Sequence, residues 1–215
     1  MPCRAAQCDE RYGTGIRTDR RGTRIRAGAA GTGGSVCTVG QFRDLGKGYD
    51  KHCGPTAITN LVLTLGGVPS GRSSDPKVRT AALQQTFLTI AGTASRWLVY
   101  WNTDFLGRIG GTSDVLVRPV LHVCLRKFGI RGYAVHGPFP MTERKMKAEI
   151  RKGSILYLML HANKKYGNHH LLCYGTEEQE GKSVFRVADG WTARPQRLGP
   201  EELRYGFFYS VRPLS

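Results

Sequence analysis

The sequence predicts an α+β fold, on three observations. Apolar residues recur at helical spacing through the first half of the chain beyond residue 36, short apolar runs of strand length fill the last third, and no unit repeats. Helices first and successive strands afterwards is the order of a helical layer packed on a C-terminal antiparallel sheet. The 215 residues, 40% of them hydrophobic, suffice for one domain with a sizeable core and an extension.

The extension comes first. Residues 1–36 are rich in Arg and Gly, hold Tyr12 as their one aromatic residue, and show no apolar period. Such a segment cannot bury enough apolar surface to offset its ordering entropy, so it reads as a disordered basic tail and residues 37–215 as the domain. A helix is expected over 54–65: Pro55 suits a first helical turn, Ala57, Ile58, Leu61, Val62 and Leu65 form one face, and Gly66-Gly67 stops it. A second helix is expected over 78–91. Ser113, with Asp114, is expected to cap a third running to Phe128, with Gly129 in the left-handed position that ends it. A strand follows at 130–136, then a helix capped by Thr142 and ending at Gly153. Strands at 154–160, 169–175, 183–188 and 205–211 complete the chain.

The net charge of +16 and pI near 10.0 point to acidic partners as a class. No nucleic-acid motif accompanies the charge and the basic residues are spread rather than striped, so nucleic acid is the lesser expectation, through the basic tail. No run of about eighteen apolar residues occurs, hence no membrane span is expected. Nor do the first thirty residues hold an apolar signal-peptide core, which favours a cytoplasmic setting. The six cysteines, at 3, 8, 37, 53, 124 and 173, include no Cys-x-x-Cys pair, so neither a metal nor a cofactor is expected.

One cysteine is placed for chemistry. Cys53 precedes Gly54-Pro55 at the start of the first helix, where unpaired N–H groups and the helix dipole favour a thiolate, and Lys51 and His52 add positive potential. A thiolate is the nucleophilic form. The plainer reading is a small residue filling a loop-to-helix joint. Cys124, on a helix face, and Cys173, within a strand, read as core.

A base for that thiol is expected from Asn168-His169-His170-Leu171. Neighbouring strand residues point to opposite faces, so His169 goes with Leu171 and Cys173, and His170 with Leu172 and Tyr174. Both faces are apolar, and periodicity leaves both histidines open. An imidazole base needs an acceptor on its other nitrogen. Asp189, at the end of the next strand, can supply one, although Asp189-Gly190 is also an ordinary turn. Trp191 either shields that contact or belongs to the core.

The order Cys-Gly-Pro-Thr-Ala opening a helix, Gly-Thr-Ser at mid-domain, His-x-Leu-Leu-x-Tyr-Gly and Ala-Asp-Gly resembles the double-glycine-leader (bacteriocin-processing) branch of the papain-like cysteine peptidases, over residues 41–212. The resemblance implies a papain-like fold and a peptide or protein substrate, with Cys53 as nucleophile and Asp189 as the orienting residue. In that family the catalytic histidine stands in the relation to its strand's glycine that His169 has to Gly175, which selects His169 over His170. The family's oxyanion-hole glutamine has no counterpart here. Lys47 occupies its place, and Gln41 is the nearest upstream glutamine. The expected function is therefore a thiol hydrolase, with an inactive peptide-binding relative and a basic nucleic-acid binder as the alternatives.

Overall fold

A computed structural model of the chain describes residues 51–68, 70, 73–101, 111–192 and 195–214. The expected tail over 1–36, Lys47 and Gln41 lie outside the described residues. Helix α1 spans Cys53–Thr64 and α2 spans Pro76–Arg96. Strands β1 (Tyr100–Trp101) and β2 (Gly111–Thr112) pair with each other. There follow α3 (Val117–Lys127), β3 (Tyr133–Pro140), α4 (Glu143–Arg151), β4 (Ile155–Asn163), β5 (Gly167–Gln179), β6 (Lys182–Ala188), β7 (Gln196–Leu198), a 3-10 turn (Pro200–Leu203) and β8 (Gly206–Pro213). The large sheet has six strands in the order β3-β8-β4-β5-β6-β7, every neighbouring pair antiparallel. The fold is α+β.

Two cores sit on the two faces of that sheet. On one, Ile58, Leu61, Phe87, Ile90, Val120 and Leu121 from the first three helices pack against Tyr157, Met159, Leu172 and Tyr209. On the other, Met146 of α4 packs with Leu156, Leu158, Leu171, Cys173, Phe185 and Phe208. β4 and β5 are apolar on both sides because both sides are covered, which is why neither strand shows a polar alternation. Helix α1 is buried almost all round, from Gly54 to Leu63. Two of its threonines are satisfied locally: the Thr59 hydroxyl donates to the Pro55 carbonyl at 2.8 Å and the Thr64 hydroxyl to the Asn60 carbonyl at 2.7 Å.

Several boundaries differ from expectation for identifiable reasons. α2 starts earlier, at Pro76, because the Asp75 carboxylate accepts from the Lys77 N–H at 2.8 Å and caps it. It runs on through Gly92 to Arg96 because Ala91 and Ala94 are buried against the core. α3 does not start at Ser113 and Asp114. Ser113 Oγ accepts from the Val115 N–H within a turn, and Leu116, at φ 62°, precedes the first helical residue, Val117. Gly129 does end α3 in the left-handed region, at φ 72°. The Ile130 N–H then bonds back to the Leu125 carbonyl at 2.9 Å, so the next strand begins only at Tyr133. Thr142 caps α4 as expected, its hydroxyl accepting from the Lys145 N–H at 3.3 Å.

Candidate functional site

The site forms where the start of α1 meets the ends of β5 and β6. Cys53 is the first residue of α1, after His52, whose ring pairs through Nδ1 with the Thr56 hydroxyl at 2.8 Å and meets Phe87 edge-on. Pro55 brings no N–H, and the Gly54 N–H donates to the Thr112 hydroxyl of β2 at 3.1 Å. β2 comes so close that a Cβ at Gly54 would stand 2.3 Å from Thr112 Cγ2, so only glycine fits there.

Cys53 is half-buried. Burial pushes its thiol above the ordinary value. Four groups act the other way: the main-chain N–H of His170, the Thr112 hydroxyl, and the N–H groups of Gly54 and of Cys53 itself. The expectation of a resting thiolate is therefore not met, since desolvation outweighs the helix-start donors. The same four groups nonetheless favour negative charge on the sulfur once the proton leaves.

β6 ends at Ala188, opposite Leu172, so it does not extend alongside His169 and His170. The α1 terminus and the 189–192 turn close up there instead, and a Cβ on Gly190 would stand 2.9 Å from Thr56 Cγ2. The Cys53 sulfur consequently faces the peptide bond that joins the two histidines.

Those histidines part company at the side chain. His170 is level with Met159 across β4 and lies on the face that carries α1. Its Nδ1 is 2.9 Å from the buried Tyr157 hydroxyl and its Nε2 3.3 Å from Asp114 Oδ1. Burial, with His169 and His161 nearby, pushes the His170 imidazole down to about 3, against a hydrogen bond from the ring to the Thr112 carbonyl. It is a neutral ring with both nitrogens engaged.

His169 is level with Leu160 and lies on the opposite face. Its Nε2–H donates to the main-chain carbonyl of Asp189 at 2.7 Å. The ring stacks on Tyr166, with centroids 5.3 Å apart and planes 10° apart, and Trp191 packs against it at 4.8 Å. Burial lowers its pKa, while the Asp189 hydrogen bond and charge act to raise it. Among the described residues no hydrogen bond is made to Nδ1, which carries the lone pair in this tautomer.

Asp189 stands beside His169, as the sequence suggests, but the contact is made by a different atom. The carboxylate is turned to its own loop: Oδ1 accepts from the N–H groups of Trp191 at 3.0 Å and Thr192 at 3.1 Å, and Oδ2 from the Tyr166 hydroxyl at 3.3 Å. The side chain thus builds the Asp-Gly turn while the main-chain carbonyl meets the His169 ring. Trp191 covers that contact while remaining 44% exposed itself. Cys124 and Cys173 are core, with burial pushing both thiols up to about 12.

Sequence reasoning missed Thr112, Asp114, Tyr157, His161 and Tyr166. Asp114 reads as a helix cap and Tyr157 as strand core. Their link to His170 exists only through strand register and the β1–β2 pair, which no local pattern reports. Among the described residues no group of His, Cys, Asp and Glu is arranged to hold a metal ion, and no helix is long and apolar enough to cross a membrane. Neither a family model nor a curated protein matches this chain.

Proposed function

We infer that the chain is a thiol hydrolase of papain-like fold, a cysteine peptidase in which Cys53 is the nucleophile and His169 its base. One observation carries this reading. His169 gives its Nε2–H to the Asp189 carbonyl, which leaves Nδ1 as the proton acceptor, on the residue next to the one whose main-chain N–H acts on the Cys53 thiol. Helices ahead of an antiparallel sheet, with the cysteine at a helix start and the histidine on a strand, support the papain-like assignment. The chemistry follows from these parts. His169 Nδ1 takes the thiol proton as sulfur attacks an acyl carbon. The imidazolium, steadied by the Asp189 carbonyl and carboxylate, returns the proton to the leaving amine. Water, deprotonated by the same nitrogen, then opens the thioester. The N–H of Cys53, at the start of α1, is the donor best placed for the developing oxyanion. The expected partner is a peptide or protein, and the setting cytoplasmic.

A second reading, a peptide-binding domain without turnover, draws on the raised thiol of Cys53. The two separate on incubation with a mixed-sequence peptide library analysed by mass spectrometry. The hydrolase cleaves peptides at discrete sites, and Cys53→Ala abolishes every cleavage. Binding without cleavage by the unaltered chain establishes the second reading, and cleavage that survives Cys53→Ala removes the first. The basic charge also leaves nucleic acid as a lesser partner, through residues 1–36.

A further inference from the structure

Asp114 lies in the turn between β2 and α3, and its two carboxylate oxygens face histidines from two neighbouring strands. Oδ1 is 3.3 Å from His170 Nε2 on β5, and Oδ2 is 2.8 Å from His161 Nε2 on β4. The side chains of Asp114 and His161 are each 41% exposed, whereas that of His170 is 6% exposed. The carboxylate therefore bridges the solvent edge to a buried ring.

We propose that Asp114 is a positioning residue for the Cys53 site: it fixes the His170 imidazole in the Nε2–H tautomer and so keeps the His170 main-chain N–H on the Cys53 sulfur. A carboxylate can only accept, so the nitrogen facing it must carry the proton. The Thr112 carbonyl, acting on the same ring, makes the same demand. Nδ1 is then bound to be the acceptor and Tyr157 the donor, across 2.9 Å. The opposite tautomer would set a nitrogen lone pair against the carboxylate and the carbonyl.

The ring needs this anchoring because β6 pairs no further than Leu172. Among the described residues, β5 beyond that point pairs with β4 on one side only, and the His170 N–H that acts on Cys53 lies in that stretch. Thr112 ties the network to the thiol a second time, its carbonyl on the ring and its hydroxyl on both Cys53 and the Gly54 N–H. Asp114 thus faces the ring whose main chain acts on Cys53, and Thr112 touches both ring and thiol, so the four residues form one polar cluster.

The consequence for catalysis rests on Cys53 being the nucleophile, but the positioning itself is testable without turnover. The full chain, labelled with nitrogen-15 at histidine, is compared with Asp114→Ala and Asp114→Glu. Two quantities are read: the tautomer of His170 by long-range nitrogen–proton NMR, and the rate of Cys53 alkylation by iodoacetamide from pH 6 to 10. His170 is expected as the pure Nε2–H form in the unaltered chain and as a mixture in Asp114→Ala, which removes every acceptor at that position. Alkylation should slow about tenfold, the order expected when an orienting charge is lost. Asp114→Glu should restore most of both. The proposal is overturned if His170 keeps a pure Nε2–H tautomer in Asp114→Ala, or if the alkylation profiles superimpose. If Asp114→Ala does not fold, Asp114→Ser, too short to reach the ring, is read in its place with the same two outcomes. A chain that hydrolyses no peptide yet shows these shifts keeps the positioning role and loses the hydrolase reading.

Discussion

His169 and His170 are adjacent on one strand, yet the two faces of β5 make them different chemical objects. On the helix side, His170 has Tyr157 on one nitrogen and Asp114 on the other, and burial holds it neutral down to about pH 3. On the far side, His169 is clamped between Tyr166 and Trp191 and, among the described residues, has a single nitrogen bound, to the Asp189 carbonyl. A ring held at both nitrogens is a structural element. A ring held at one is oriented and still has a lone pair to give. Burial is similar on the two faces, so the count of engaged nitrogens is what distinguishes the two rings.

The largest effect should come from removing each ring in turn. His169→Ala is expected to lower peptide hydrolysis at least about a hundredfold, in the range of a lost general base. His170→Ala should keep most of the activity of the folded fraction. It should also cost about 2–4 kcal/mol in urea unfolding, because it opens a cavity and strands the buried Tyr157 hydroxyl. The opposite ranking of activities would move the base to His170 and make Asp114 its orienting carboxylate.

Acid stability offers a finer comparison, of His170 with Glu149 on α4. Because the folded pKa of His170 lies below that of an exposed histidine, the unfolded chain binds the extra proton first. Stability is therefore lost as pH falls from about 6.5 towards 3. Glu149 is buried, which raises its pKa, but hydrogen bonds from Arg212, Lys152 and Ser210 outweigh this and hold it at about 2. Its contribution, on the order of 2–3 kcal/mol, is present above about pH 4.5 and lost as pH falls towards 2. Melting temperature against pH should show two acid limbs, with His170→Gln flattening the upper and Glu149→Gln the lower. One unbroken limb that neither substitution alters would contradict both assignments.

The smallest effects are those of two single hydroxyls. Tyr157→Phe leaves the buried Nδ1 of His170 without its donor and should cost about 1–3 kcal/mol. Tyr166→Phe removes a longer bond to Asp189, 3.3 Å, and should cost about 1 kcal/mol or less, with the ring stack on His169 intact. Urea midpoints of the two variants give the order, and a costlier Tyr166→Phe would mean that the Asp189 turn, rather than the His170 network, is the more tightly held.

Much of this fold was legible because its signals are local. Pro55 and Gly66 bracket α1, Thr142 and Gly153 bracket α4, and the apolar runs of β4, β5 and β6 mark a sheet covered on both faces. The site was legible in part. Cys53, His169 and Asp189 all lie at the junction of α1 with the ends of β5 and β6, where segment order suggested. What escaped was set by distance along the chain. Asp114 sits beside a Ser with which it looks like a cap, and only folding brings it to a histidine 56 residues later. The state of the thiol escaped as well, because the helix start is visible in sequence while the desolvation that overrides it is a property of packing. The atom by which Asp189 meets His169 is equally a matter of backbone geometry.

Gly190, at φ 73°, carries no side chain at the point where its turn comes nearest to Thr56 of α1. A single methyl group there would act as a spacer. It would press on the Thr56 methyl, so that either that side chain or the loop bearing the Asp189 carbonyl must give way. How closely the Asp189 turn approaches α1 thus depends on a residue with no functional group, and its tolerance is less than one carbon atom.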